Sequence, residues 1–408
     1  MYFERFIAGR FMPRSGTESG FSGPLSAIAV ASVALGVTVM IMAVSILRGF
    51  QGDIAGKVVG FGSHLTVRSY EATHAYEEEP VEVDSALEAR IRAVPGVRHL
   101  QRFATKGGMV KTEEQIYGIV LRGLSADYDT TFFSTYLTEG HLPKMDSAVT
   151  NEVLVSSTIA RKLKLDVGDK MRTYFWQGEG YRSRAFTVGG IYNTDLTEMD
   201  EVYVVGDLRQ VQRLNGWGDS LVGGYELLVE DFDRIDEAAD GVLATLPYDL
   251  TLQTVVSANP VLFSWLDLLN TNIRLILAIM SLVCAVAVVS ALLIMIFEKS
   301  ATIGLLKTMG ATDASIRRIF MIKAGGLIAK GVAIGCGVAL ALCWVQKQWQ
   351  LVKLDAESYS MSYVPVEINV WTFVAIGAGA AAVCVAALLI PAAHISRISP
   401  AITVRSEK

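Results

Sequence analysis

Charge is scarce in this chain. Over 408 residues, Asp, Glu, Lys and Arg make up 19%, against about 25% in an ordinary soluble domain. Mean hydropathy is +0.39, so part of the chain belongs in an apolar surrounding. Four cysteines are too few for a disulfide scaffold of this length, and a 51% apolar share excludes disorder. Catalytic signatures are missing as well. No G-x-x-x-x-G-K-[ST] loop is present to cradle a nucleotide, no H-E-x-x-H or Cys pair to hold zinc, and no G-x-S-x-G elbow. His64, His74, His99, His141 and His394 are scattered, and Glu113-Glu114 and Asp200-Glu201 read as solvated pairs. No catalytic residue, metal ligand or bound cofactor is expected of this chain.

Four apolar runs are present: 24–47, 275–297, 324–345 and 370–391, the second read as the core of a span over 273–297. The first has 24 residues and no charge. At 1.5 Å per residue it reaches about 36 Å, enough to cross a hydrocarbon core of about 30 Å. A charge at mid-membrane costs roughly 2.5–3.5 kcal/mol, and Lys330, near the start of the third run, is the one ionisable residue inside these runs. That disfavours a proton or ion relay. Cys284, Cys336, Cys343 and Cys384 all fall in these runs as apolar fillers.

Charge sets the orientation. Residues 48–268 hold 21 basic and 33 acidic residues, a balance that excludes a nucleic-acid partner. Arg5, Arg10 and Arg14 precede the first run, Lys299, Lys307, Arg317, Arg318 and Lys323 lie between the second and third, and Arg397, Arg405 and Lys408 follow the fourth. The positive-inside rule places both termini and 298–323 in the cytoplasm. Residues 48–268 then face outward, and 346–369 is an outward loop. The first run is too long for a signal-peptide core and reads as an uncleaved anchor. Before it, 1–23 has apolar residues at roughly helical spacing and reads as an interfacial helix. Residues 392–408 form a cytoplasmic tail.

The outward domain reads as mixed α/β in two lobes, with 151–229 inserted into the other. Strands are expected at 64–69, 115–124, 153–155, 171–176, 184–192, 202–205 and 225–230. Helices are expected at 85–94, after Ser156 or Ser157, at 208–214 and at 235–246. The fold class is therefore an α-helical membrane protein with four transmembrane helices plus an extracytoplasmic α/β domain.

The cytoplasmic stretch 298–323 is the most informative. Ile303, Leu306 and Met309 recur at helical spacing, as do Ile316, Ile319 and Phe320. Gly310 can stop the first helix, and Thr312 or Asp313 can cap the next. The stretch resembles the E-x-x-x-E-I-G-I-L-R-A-L-G-A pattern of FtsX/MacB-type ABC transporter permeases. Glu298, Ile303, Gly304, Leu306, Gly310 and Ala311 match, while Thr302 replaces the second Glu and Lys307 the Arg. The tail at 391–405 and the outward stretch 151–169 are similar to that superfamily too. FIAGRF at 6–11, IAVASVALGV at 28–37, SILRGFQ at 45–51 and GFGSHLTV at 60–67 resemble the lipoprotein-releasing permeases of the LolC/LolE family.

The resemblance implies a MacB-like periplasmic domain and a location in the inner membrane of a Gram-negative bacterium. It implies a permease with no chemistry of its own, which extracts lipoproteins from the outer leaflet and hands them to a periplasmic LolA-like chaperone. ATP and Mg would be held by a cytosolic LolD-like ATPase in two copies, and a second permease chain, identical or sister, would complete the complex. Glu298, Thr302, Ile303, Gly304, Leu306, Lys307, Met309, Gly310 and Ala311 would couple to that ATPase. Met40, Val44, Leu47, Phe263, Leu266, Leu269, Ile273 and Leu277 would line a cavity for acyl chains, with membrane lipid around it. The hairpin at 176–184 is short beside the hook of the chaperone-recruiting member, so the resemblance stops short of direct chaperone recruitment. Alternatives within the superfamily are a MacB-like efflux permease and an FtsX-like scaffold that activates a cell-wall hydrolase. Gly331 and Gly335 form a small-x-x-x-small face suited to close helix packing.

Overall fold

The computed structural model describes residues 22–394 except 72–77, 113–114, 146–147, 178–179, 356–358 and 360. The expected interfacial helix before residue 22, the tail from 395 on, Glu113-Glu114 and the hairpin turn at 178–179 lie outside the described residues. In chain order the elements begin with α1 (Ser22–Gly62), β1 (Leu65–Ser69), β2 (Val81–Glu82), α2 (Ser85–Arg92), β3 (Val97–Lys111), β4 (Ile116–Leu124), α3 (Thr131–Tyr136) and β5 (Leu137–Gly140). β6 (Glu152–Ser156), α4 (Ser157–Leu163), β7 (Lys170–Gln177), β8 (Gly180–Tyr192), α5 (Thr197–Asp200), β9 (Tyr203–Asp207), α6 (Leu208–Asn215), β10 (Leu221–Val222) and β11 (Gly224–Val229) follow. The chain closes with α7 (Ile235–Leu243), β12 (Leu250–Thr254), α8 (Val255–Ala258), α9 (Pro260–Glu298), α10 (Ser300–Thr308), α11 (Asp313–Trp349) and α12 (Val370–His394).

Two compact units result. The helical unit comprises 1–51, 265–352 and 364–408, and the α/β unit comprises 52–264 and 353–363. α1, α9, α11 and α12 are long and apolar enough to cross a membrane. Three of them outrun the apolar runs. α1 continues to Gly62 because Ile54, Val58 and Phe61 give its last turns a buried face. α9 starts at Pro260, and α11 starts at Asp313 and runs on into the third apolar run without a break.

In the helical unit, Val33, Val37, Met40 and Ile41 of α1 share one core with Cys284, Val288 and Leu292 of α9, Ile328 and Ala339 of α11, and Cys384 and Leu388 of α12. The small-residue face packs as its spacing predicts. A Cβ on Gly331 would sit 2.8 Å from Val33 Cβ, and one on Gly335 would sit 2.6 Å from the Ala34 carbonyl oxygen. Nothing larger than hydrogen fits there, so α11 and α1 meet backbone to backbone.

The α/β unit is built on one ten-stranded sheet in the order β12-β1-β11-β3-β4-β9-β6-β8-β5, with β7 bonded to β3 and β8. The two expected lobes are not separate in hydrogen bonding. β9, from the expected insertion, runs parallel to β4, and β11 lies between β1 and β3. Caps follow the sequence: Asp84 accepts from Ala86 N, and Ser156 from Ile159 N. α4 ends at Lys164 in the left-handed region (φ 55°). In the 176–184 hairpin the pairing of β7 and β8 runs up to the turn, from Lys170↔Thr187 to Gln177↔Gly180. Trp176 and Tyr181 face each other there, half exposed, at 4.8 Å between ring centroids.

The α/β unit buries an ion pair. Arg122 pairs with Glu226, both nearly fully buried. Gln101 donates to Glu226 Oε2 at 3.1 Å and to Ser63 Oγ at 3.3 Å. Asp200 is a second buried acid. Burial pushes its carboxyl up to about 6 against the two hydrogen bonds from Thr194 N and Oγ1. A pKa raised by folding means that the protonated form stabilises the fold. That stability is complete below about pH 4 and is lost as pH rises through 6, by at most about 3 kcal/mol. The thermal midpoint of the α/β unit should therefore fall between pH 4 and 6. Asp200→Asn should flatten that slope, and an unchanged slope in the variant would show that Asp200 is not its source.

Candidate functional site

The stretch 298–311 turns the chain from α9 into α11. α10 forms where Ser300–Thr308 offers no breaker, and Gly310 (φ 93°) ends it. Thr312 then caps α11, its side chain accepting from Ser315 N. This local order matches the sequence, but the two sides of α10 do different jobs. Ile303 and Gly304 are buried, Ile303 in the same core as Ile316, Phe320, Ala324 and Met295. Ala311 packs against that core, Leu306 and Thr302 are half-buried, and Lys307 Nζ pairs with Asp313 Oδ1 at 2.9 Å.

What α10 presents outward is different. Leu305 and Met309, one turn apart, are 61% and 77% exposed. Thr308, Gly310 and Glu298 are exposed beside them, and Arg317 and Arg318 of α11 are exposed further on. Of the nine coupling candidates, Glu298, Met309 and Gly310 are thus open to a partner, while Ile303 and Gly304 hold α10 in place. Leu305 is missing from the sequence-derived set because Leu stands there where the motif has Ile. Its signal was the i, i+4 spacing to Met309, off the buried stripe. An exposed apolar pair on a short helix held from behind is the kind of feature an apolar pocket can receive.

The acyl-chain candidates divide. Met40 is in the interhelical core, and Leu277 packs against it. Leu47 and Leu266 are buried, while Val44, Leu269 and Ile273 are half-buried. Phe263 belongs to the α/β unit, where it stacks on Phe232 at 6.1 Å. None of the eight is an open apolar wall. The uncovered face of α9 carries Trp265, Leu268, Leu275, Ile279, Leu282 and Val286. Asn272 completes their alternating three- and four-residue spacing, which is the spacing of a helix seam. On the sequence this stripe was hidden, because α9 is apolar all round from Leu275 on.

Among the described residues no group of three or more His, Cys, Asp or Glu side chains could hold a metal ion. A polar cleft of about 470 Å³ in the α/β unit is lined by Arg161, Lys162, Asn193, Asp195 and Asp200; Lys162 there pairs with Glu201 at 2.7 Å and Asp200 accepts from Thr194.

Comparison with known proteins agrees with this division. The profile of the MacB-like periplasmic core domain matches residues 26–245, and that of the FtsX-like permease C-terminal domain matches 274–400. The lipoprotein-releasing system transmembrane protein LolC of Xylella fastidiosa (strain Temecula1 / ATCC 700964) is 24% identical over 421 residues, covering 97% of each chain. LolE of Haemophilus influenzae (strain ATCC 51907 / DSM 11121 / KW20 / Rd) is 23% identical over 415 residues, again covering 97% of each. The crystal structure of the periplasmic region of MacB from Actinobacillus actinomycetemcomitans overlaps 50% of this chain and 95% of its own, at 11% identity and a TM-score of 0.35.

Proposed function

The chain belongs to the FtsX/MacB-type ABC transporter permeases, in the LolC/LolE family, and from that premise we propose that it is the membrane subunit of a transporter that lifts lipoproteins out of the inner membrane. The observation that carries the reading is the open Leu305–Met309 pair on a helix braced by Ile303. A cytosolic ATPase closing on ATP needs such a handle, and this chain offers no nucleotide loop of its own. Both termini and 298–323 lie in the cytoplasm in this reading, and 48–268 lies in the periplasm.

Substrate enters from the outer leaflet. Burial of each methylene is worth about 0.8 kcal/mol, so drawing several acyl chains out of lipid costs tens of kcal/mol unless another apolar wall receives them. The Leu268–Val286 stripe of α9 supplies that wall, closed on its far side by a second permease chain. ATP hydrolysis on the partner supplies the remainder, and a LolA-like chaperone removes the product. The exposed Trp176–Tyr181 pair on the eight-position β7–β8 hairpin gives that chaperone a place to dock.

The test is reconstitution of the full chain with its co-purifying ATPase in liposomes loaded with a tri-acylated lipoprotein. Release into the soluble phase should require ATP and acceptor chaperone together. Export of dyes or peptides with no lipoprotein release would move the reading to an efflux permease. Stimulation of a bound cell-wall hydrolase with nothing transported would move it to a signalling scaffold.

A further inference from the structure

Two transmembrane helices, α1 and α9, have one end each inside the α/β unit, and those ends are held very differently. The end of α1 is locked. Phe61 is fully buried, with its ring 5.3, 5.7, 6.0 and 6.0 Å from those of Phe132, Phe133, Tyr192 and Tyr203. Gly60 lets Phe132 lie flat on the helix, since a Cβ there would meet the Phe132 ring at 2.0 Å. Ser63 closes α1 in the left-handed region (φ 59°). Its amide donates to the Val59 carbonyl oxygen at 2.6 Å, and its hydroxyl donates to Glu226 at 3.3 Å. Glu226 is itself fixed by Arg122 and Gln101.

Among the described residues the start of α9 has no counterpart to this lock. Asn259 breaks the helical path (φ −126°, ψ 57°) between α8 and α9. Beyond it Pro260 and Ser264 are exposed and Val261 is 84% exposed. The Phe263–Phe232 stack is the one aromatic contact among the described residues of this turn. Within the helical unit, α9 is instead gripped by α1. Gln51 Nε2 donates to the Leu266 carbonyl oxygen and to Asn270 Oδ1, and Phe50 meets Trp265 edge-on at 6.1 Å.

We propose that Gly60, Phe61 and Ser63 are positioning residues that form the joint through which movement of the spans reaches the α/β unit, and that Asn259–Pro260 is a slack tether. The proposal rests on the transporter reading for its purpose but not for its geometry. A broken helix with an exposed first turn bends before it can push, whereas a helix end set in a ring cluster cannot turn without moving the sheet.

Two measurements on the full chain with its ATPase in lipid nanodiscs test it. In amide hydrogen exchange, 54–63 should exchange at least about 100-fold more slowly than 256–264. Equal exchange in the two segments overturns the joint whatever the complex transports. In the coupled assay, Gly60→Ala should lower lipoprotein released per ATP hydrolysed at least about fivefold, with hydrolysis itself within about twofold of the parent. Phe132→Leu, added to Gly60→Ala to make room for the methyl group, should restore more than half of the loss. Insertion of two glycines between Asn259 and Pro260 should leave the ratio within about twofold of the parent. Loss of coupling on that insertion, or a double variant as defective as Gly60→Ala, overturns the assignment.

Discussion

Leu305→Arg should separate the chain from its ATPase, lowering co-purification and ATP-driven release at least about tenfold, because an unpaired charge placed in an apolar interface costs several kcal/mol. The side chain of Leu305 is 61% exposed and is absent from the core that holds α10, so the variant should fold and insert as the parent does. Gly304→Arg makes a poor test of the same idea. Gly304 is buried, and a long charged side chain there would push α10 off α11 before any partner arrived. Met309→Arg should repeat the Leu305 result. Wild-type release from Leu305→Arg, with the ATPase still bound, would remove α10 as the docking element and leave the basic positions of α11 to be tried next.

Arg122→Met should be the most damaging change in the α/β unit. Arg122 and Glu226 are buried together, and removal of one member leaves a charge in a low-dielectric interior at a cost of about 3–5 kcal/mol. For a unit of this size that is a fall in thermal midpoint of roughly 10 °C. Glu226 would keep its bonds from Gln101 and Ser63, which bounds the loss from above. The double variant Arg122→Met/Glu226→Leu should recover a good part of it, since an apolar pair of similar volume removes the stranded charge. A single variant that melts within about 1 °C of the parent would mean that water reaches Glu226 and that the pair is not sealed.

Legibility in the sequence tracked local chemistry. Helix caps at Ser156 and Thr312, the stop at Gly310 and the β7–β8 hairpin are written in a few neighbouring residues, and each forms as its residues predict. The apolar runs announced four spanning helices, but not that α1 would go on for another fifteen residues past Leu47. That extension depends on rings contributed by residues 132, 133, 192 and 203, which no window on 48–62 contains. β3 was missed altogether. Its stretch VRHLQRFATKGGMVK has no clean alternation, and it becomes a strand because β11, β4 and β7 all bond to it. Within the site, the motif located α10 but not its sides. Glycine and isoleucine at 303–304 serve the fold, and the neighbouring leucine faces out. Conserved-looking letters in a family pattern therefore marked the brace better than the contact.

The strand order of the α/β unit bears on how the chain is made. β1 leaves the ribosome early, yet its two neighbours, β11 and β12, are synthesised about 160 and 185 residues later. At roughly 5–20 residues per second, β1 waits on the order of ten seconds or more with both edges bare. The sheet cannot close until Thr254 has been synthesised, shortly before α9 begins at Pro260. With 48–268 facing outward, as proposed, the nascent segment between the first two spans crosses the membrane as an unfinished sheet, and an export-side holding factor that shields bare strand edges would matter more to the yield of this protein than any factor acting on its helices.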